Sequence, residues 1–306
     1  MKKPILTLLL ILTTLPLHAA EKPAWKEAVA AIDAGNLAPM QTLADAGDAA
    51  AGDAAAQHSL GVLYEKGEGV PADAATAAAW YHKAAAQGYA SAQYNLALMY
   101  RDGRGVARDA AQAQHWYEQA AAQGHAKAQY RLGEIAYGEK HYDTARDWFE
   151  KAAAQEHAKA QYSLGVLYEK GEGVSKDYAQ ARAWYQKAAA KENRSAAYNL
   201  GNHYRYGLGV VQDYQQARQW YEKAAAQGHA KAQYQLGMLY QKGDGVAADT
   251  TKAVEWLEKS AAQGYAKAQY QLGQHYRNSD PQKARAWLEK AAAQDNADAK
   301  KALQTW

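Results

Sequence analysis

Leu60-Gly61-Val62-Leu63-Tyr64, followed by Gly67-Glu68-Gly69-Val70 and then by Trp80-Tyr81-His82-Lys83-Ala84-Ala85, is a stretch the chain writes again at 164–189 and at 236–261. Aligned on the Leu-Gly pair, the marker falls at Gly61, Ala97, Gly133, Gly165, Gly201, Gly237 and Gly273, with spacings of 36, 36, 32, 36, 36 and 36 residues. Tryptophan gives the period independently, at Trp80, Trp116, Trp148, Trp184, Trp220, Trp256 and Trp287, with spacings of 36, 36, 32, 36, 36 and 31. A period of this length marks a repeat architecture, in which each unit contacts its neighbours instead of a shared central core. The shortfalls fall between the glycine and tryptophan markers of repeats three and seven, so those two units have a trimmed loop.

Each unit reads as two helices. Helix A runs through segments such as Ala128 to Tyr137, with Leu132, Gly133, Ile135 and Ala136 at helical spacing. Glycine inside a helix costs about 1 kcal/mol relative to alanine, so its return at one position implies that a neighbouring helix approaches closely there. Helix B, for example Asp177 to Ala190, sets Ala181, Trp184, Tyr185, Ala188 and Ala189 on one stripe read as buried. Asp73, Asp109, Asp143, Asp177, Asp213, Asp249 and Asp280 stand where helix B needs an N-cap, and Pro281 follows at the first helical position. Gln112, Gln180 and Gln216 take the third helical position of a capping box. Gly88, Gly124, Gly228 and Gly264 follow the Ala-Ala-Gln run that ends helix B, where a left-handed residue is usual. A lone pair of such helices buries too little to offset its ordering entropy, so stacking is obligatory and the ends need caps.

Composition narrows the chemistry. The formal charge of +3, which falls to +1 if Lys2 and Lys3 are removed, gives no long-range field for nucleic acid. The chain has no cysteine, which excludes disulfides, thiolate zinc sites, thiol nucleophiles and lipid attachment at cysteine. No Ser-x-x-Lys, Gly-x-Ser-x-Gly or His-Glu-x-x-His pattern occurs, so no catalytic residue, metal or cofactor is expected. Gly67-Glu68-Gly69 and its equivalents end a helix, whereas phosphate-cradling loops open one. His125, His157 and His229 share one turn position with Tyr89 and Tyr265, and ligands one repeat apart lie too far from each other for one ion.

Residues 1–20 read as a secretory signal, with Lys2 and Lys3 as the charged start, Ile5 to Leu15 as an apolar stretch and Leu17-His18-Ala19-Ala20 as a cleavage region. The apolar run is short for a membrane span, and nothing later replaces it. The expected organisation is a signal at 1–20, N-terminal capping helices at 21–54 including a degenerate pair from Trp25 to Asp53, a seven-repeat solenoid at 55–298 and a C-terminal half-helix at 299–306. That places the protein outside the cytoplasm, in a bacterial periplasm or secreted.

The repeated pattern Ala-x-x-x-Leu-Gly-x-Leu-Tyr-x-x-Gly-x-Gly-Val, then Asp, then Ala-x-x-Trp-Tyr-x-Lys-Ala-Ala-x-Gln-Gly, resembles the Sel-one-like repeat family, a branch of the tetratricopeptide-like superfamily, over about residues 55–298. Repeats three and seven lack the Gly-x-Gly-Val loop, repeat two has Ala97 for glycine, and Leu257 and Leu288 stand for tyrosine in repeats six and seven. The resemblance implies an all-α, right-handed α/α solenoid of about seven stacked helix-turn-helix repeats with terminal capping helices. It implies an exported interaction scaffold that binds a protein or peptide partner in a concave groove. Relatives include a cysteine-rich group described as penicillin-binding or weakly β-lactamase-like, whose paired cysteines this chain lacks; the alternative they imply is a peptidoglycan or β-lactam binding or hydrolysing protein.

If tetratricopeptide-like packing holds, the helix A residues five and two before the marker leucine, and two and five after it, face the groove. The residue two before is Tyr94, Tyr130, Tyr162, Tyr198, Tyr234 or Tyr270, and the residue five before is Ser91, Lys127, Lys159, Ser195, Lys231 or Lys267. The position two after varies most and includes Glu134, Asn202, Met238 and Gln274, while five after includes Arg101, Arg205 and Arg277. Two readings of the tyrosines stay open: a ladder that grips an extended peptide, or packing between adjacent A helices. Repeat five departs furthest, with Asn199, Asn202, His203, Arg205 and Tyr206, and His275 with Arg277 echoes it two repeats on.

Overall fold

The structure, a computed structural model, describes residues 23–33, 36–45 and 51–305; the signal read at 1–20 lies outside them. The described residues form helices and connecting turns only, and the chain divides into two compact units, 1–155 and 156–306. In the first, α1 (Pro23–Asp33) and α2 (Ala38–Asp45) precede three helix pairs, α3 (Ala51–Lys66) with α4 (Ala74–Ala86), α5 (Ala90–Asp102) with α6 (Ala110–Ala122), and α7 (Ala126–Gly138) with α8 (Tyr142–Ala154). The second holds four pairs, α9 (Ala158–Lys170) with α10 (Tyr178–Ala190), α11 (Arg194–Tyr206) with α12 (Tyr214–Ala226), α13 (Ala230–Lys242) with α14 (Thr250–Ala262), and α15 (Ala266–Tyr276) with α16 (Pro281–Ala292), closed by α17 (Ala297–Gln304). Within each unit successive helices pack on one another, which is the α/α solenoid arrangement the period implies.

The marker glycine has a physical cause in each of the six repeats that carry it. A Cβ built on Gly61, Gly133 or Gly165 would stand 2.5 Å from ring atoms of Tyr81, Phe149 or Tyr185 on the partner helix, and Gly201 meets Tyr221 in the same way. In the last two repeats Leu257 and Leu288 take the ring's place, and a Cβ on Gly237 or Gly273 would lie 2.8 or 2.6 Å from their side chains. The absent side chain is thus a socket for one large residue of helix B, and those residues are at most 2% exposed. Repeat two fills the position with Ala97, also fully buried, opposite Tyr117.

The stripe read on helix B splits. Tyr185 and its equivalents are buried, while Trp184 and its equivalents are half-buried; Trp116 packs on the Tyr81 cluster of the preceding repeat, Trp220 on the Tyr185 cluster and Trp256 on the Tyr221 cluster. A lysine three residues on lies over each indole at 4.0–4.4 Å from the ring centroid in six of the seven repeats, from Lys83 over Trp80 to Lys290 over Trp287. Such contacts contribute about 0.5–1 kcal/mol each at exposed sites.

Aspartates 73, 109, 177, 213, 249 and 280 accept backbone N–H groups of the first turn of helix B, as an N-cap must. Asp143 does not. In repeat three the shortened loop starts α8 at Tyr142 with His141 in the cap position, so Asp143 lies inside the first turn, 3.5 Å from Arg146. The second glycine of the Gly-x-Gly loop serves packing between repeats at Gly105, Gly209 and Gly245: at Gly105 (φ +70°) a Cβ would collide with the Ala74 carbonyl at the start of α4, and at Gly209 and Gly245 with Tyr178 and Tyr214. Gly88, Gly124, Gly228 and Gly264 are left-handed after helix B, and Glu156, Glu192 and Asp295 hold that conformation where glycine is absent.

The close approach yields a paired prediction. Gly165→Ala should lower stability by about 1–3 kcal/mol by overpacking against Tyr185, whereas Gly138→Ala, where a Cβ meets nothing within 4 Å, should raise it by about 0.5–1 kcal/mol; denaturant midpoints of the two variants check both signs.

Candidate binding face

Helix A of each repeat carries the variable residues, and in repeats three to six its N-terminus is set by a side-chain cap, which Tyr89 and Tyr265 do not supply in repeats two and seven. The Nδ1 atoms of His125, His157 and His229 accept the backbone N–H of Ala128, Ala160 and Ala232 at 3.2–3.3 Å, and the side chains of Asn193 and Asn296 do the same for Ala196 and Ala299. The shared histidine position of the sequence is therefore an N-cap. Because Nδ1 accepts, the neutral ring carries its proton on Nε2.

A buried glutamine three residues before the marker leucine ties neighbouring repeats. Gln93 donates to the Ala85 carbonyl at 3.2 Å and accepts from Gln123 at 2.8 Å; Gln233 donates to Ala225 at 3.2 Å and accepts from Gln263 at 2.7 Å. Gln57, Gln129 and Gln269 repeat the motif. Repeat five alone among the seven has alanine here, Ala197. In repeat four Lys191 replaces the donor glutamine, and the Gln161 carbonyl oxygen is left without a hydrogen-bond partner.

The tyrosines two before the leucine are half-buried. Tyr94, Tyr130, Tyr162 and Tyr198 lean on Tyr117, Phe149, Tyr185 and Tyr221, the socket rings of their own pairs, at 5.7–5.9 Å between centroids. Tyr94 also contacts His125 at 4.8 Å, Tyr198 stacks on His229 at 4.7 Å and Tyr234 meets Tyr265 at 5.3 Å edge to face. Tyr270 packs on the Leu288 cluster. Each ring is therefore anchored against the pair and still partly open.

The residues after the leucine are largely consumed by the fold. The socket tyrosine's hydroxyl donates to Glu65 (2.7 Å) in repeat one, to Glu169 in repeat four and to Asn202 (2.7 Å) in repeat five. Arg101 pairs with Asp102 at 2.7 Å, Glu134 accepts the Tyr130 hydroxyl at 2.7 Å and pairs with Arg131, Arg205 binds Gln235, and Arg277 donates to the Thr305 carbonyl at 3.2 Å. Met238 and Gln274 are half-buried, and His275 is exposed beside Tyr276.

His203 was read as a groove residue, and the structure corrects this: it is fully buried, edge to face with Tyr178 and Tyr185, its Nε2 3.6 Å from Glu169. Burial would push the Glu169 carboxyl up, but contacts from His203 and Tyr185 and the charge of Lys176 hold it below the usual range. The position three after the leucine lies on the leucine's own face and is the buried Leu63, Met99, Leu167 and Leu239 in repeats one, two, four and six, and the half-buried Ile135 in repeat three. That comparison was available in the sequence. His275 escapes burial at the same position because α15 ends one residue later.

A cleft of ≈ 420 Å³ is open in the second unit. It brings together Tyr162, Tyr198 and Asn199 of the predicted set, with His229 and the starts of α11 and α13. Asn202, Arg205, Tyr234, Met238, Tyr270, Gln274 and Arg277 do not line it, and Tyr206 stands apart at 56% exposure. Among the described residues no cluster of His, Asp and Glu could hold a metal ion, and no helix is long and apolar enough to cross a membrane.

These features define an α-helical repeat protein whose helix A face carries a cleft. The Sel1 repeat profile matches residues 54–89, 90–125, 126–157, 158–193, 194–229, 230–265 and 266–296, and the chain belongs to the Sel1 repeat family. Such repeats generally mediate protein–protein interaction and form scaffolds without catalytic activity as a rule. The chain is similar to c5321, a protective antigen of uropathogenic Escherichia coli strains displaying an SLR fold, at 33% identity and TM-score 0.74 over 90% of this chain; it spans 65% of that protein's length. It is also similar to a Sel1 repeat protein from Oxalobacter formigenes, at 32% identity and TM-score 0.72 over all of this chain and 95% of the other. None of the curated proteins matches the chain.

The imidazoles give a pH prediction. Burial, and secondarily the charge of His125, lowers His58 to about 4; burial, then the charges of Arg194 and Lys231, lowers His229 to about 4. Both fold neutral, and the unfolded chain binds their protons at about 6.5, so their contribution is full above that pH and is lost as pH falls toward 4. Denaturation midpoints should drop over this window, and the drop should be shallower in His229→Asn, where asparagine keeps the cap as at Asn193.

Proposed function

We propose that the chain is an exported scaffold that holds a protein or peptide partner on the helix A face of residues 156–306. The observation that carries this is the cleft: the half-buried rings of Tyr162 and Tyr198 line it beside Asn199, Tyr162 braced by Tyr185 and Tyr198 braced by Tyr221 and His229. Rings held in this way lose little further freedom on binding, which makes them effective anchors. Export is supported by the reading of residues 1–20 as a secretory signal. Nothing in the described residues favours the cell-wall enzyme alternative.

A photo-crosslinking residue at Tyr162 should trap a discrete partner in the native envelope, and Tyr198→Ala/Asn199→Ala should reduce partner recovery by roughly tenfold, the scale of a truncated anchor. Unchanged recovery with that double variant would move the binding face elsewhere. Measurable nitrocefin hydrolysis by the purified chain would contradict a scaffold.

A further inference from the structure

The chemistry of the cleft is more specific than a general aromatic groove. Of the ten residues that line it, two are permanent cations, Arg194 and Lys231, and none is acidic. Comparison between repeats shows that this is local: helix A opens with alanine at Ala90, Ala126, Ala158, Ala230 and Ala266, and with arginine only in repeat five. The next residue is lysine at Lys127, Lys159, Lys231 and Lys267 and serine at Ser91 and Ser195, so only repeat five combines the short side chain with a guanidinium beside it. Arg194 is exposed and held by the Gln227 carbonyl at 3.2 Å, while Lys231 is exposed on the next A helix.

From this arrangement we infer that the cleft binds an extended acidic peptide segment, with a glutamate or aspartate carboxylate between Arg194 and Lys231 and neighbouring atoms against Tyr162 and Tyr198. The inference rests on the groove reading above and specifies its ligand. The two cations supply charge complementarity, which selects partners of opposite sign. Asn199 and Ser195 add polar groups that an extended main chain needs, while the Gln263 amide N–H is committed to Gln233. A bare inorganic anion would use the cations and leave the tyrosine surfaces and amides without a role, whereas the ≈ 420 Å³ available suits side chains of a peptide. The positive field is also felt by His229, whose imidazole is held near 4 by burial and then by the same two cations. A bound carboxylate would offset that charge and let the imidazole titrate closer to its ordinary value.

The test uses the whole chain and fluorescein-labelled hexaglutamate, with acetylated and amidated ends elsewhere, compared with hexaglutamine and hexalysine by anisotropy. Hexaglutamate should bind more than roughly tenfold tighter than hexaglutamine, and Arg194→Ala/Lys231→Ala should abolish that preference. Lys267→Ala, outside the cleft, should leave it intact. Arg194→Glu/Lys231→Glu should reverse the preference toward hexalysine, and circular dichroism should show all variants folded. In NMR titrations the His229 resonance, assigned by its loss in His229→Asn, should shift its pKa upward on adding hexaglutamate. Equal binding of hexaglutamate and hexaglutamine would overturn the acidic ligand while keeping a peptide groove. Displacement by inorganic phosphate as complete as by unlabelled hexaglutamate would replace the peptide with a simple anion site. Absence of binding by every peptide overturns the inference, and the Tyr162 crosslink then decides separately whether the groove itself stands.

Discussion

Everything in this fold depends on how closely helix A can approach helix B. A missing side chain at the marker position lets one ring or one leucine enter the opposite helix surface, and that contact sets the separation of the pair. The ring that fills the socket then supports the tyrosine on the groove side, as Tyr185 supports Tyr162 and Tyr221 supports Tyr198. Its hydroxyl reaches Glu169 in one repeat and Asn202 in another. A single steric constraint therefore determines both the pair geometry and the orientation of the residues offered for binding.

The frame was legible because it is local and repetitive. Glycine cost inside a helix, aspartate at an N-cap and glycine after a C-cap each have a short-range cause that a spacing can reveal. The glutamine bridges were less visible, since they join residues about thirty apart and depend on two helices and a carbonyl meeting in space. Asp143 misled because a trimmed loop moves the helix start while leaving the residue type in place. His203 misled for the opposite reason: a polar residue on the leucine face reads as exposed, yet the Tyr178 and Tyr185 edges and Glu169 accommodate it in the interior.

The departures from uniformity on which the proposed groove rests divide in a way that side-chain identity alone does not show. In repeat five, Asn202 and Arg205 are spent on Tyr221 and Gln235, whereas Arg194, Ser195 and Asn199 line the cleft, with Arg194 held by the Gln227 carbonyl. Loss of the buried glutamine at Ala197 occurs in that same helix. A repeat protein can accept such local change because neighbouring pairs retain their own contacts.

Amide hydrogen exchange of the whole chain measures the central constraint most directly. The account predicts that the slowest amides within each pair cluster around the socket positions, such as Gly165, Gly201 and Gly237, and that the Gly-x-Gly loops exchange fastest. Exchange at the socket segments as fast as in the loops would contradict the claim that this contact holds the pairs together.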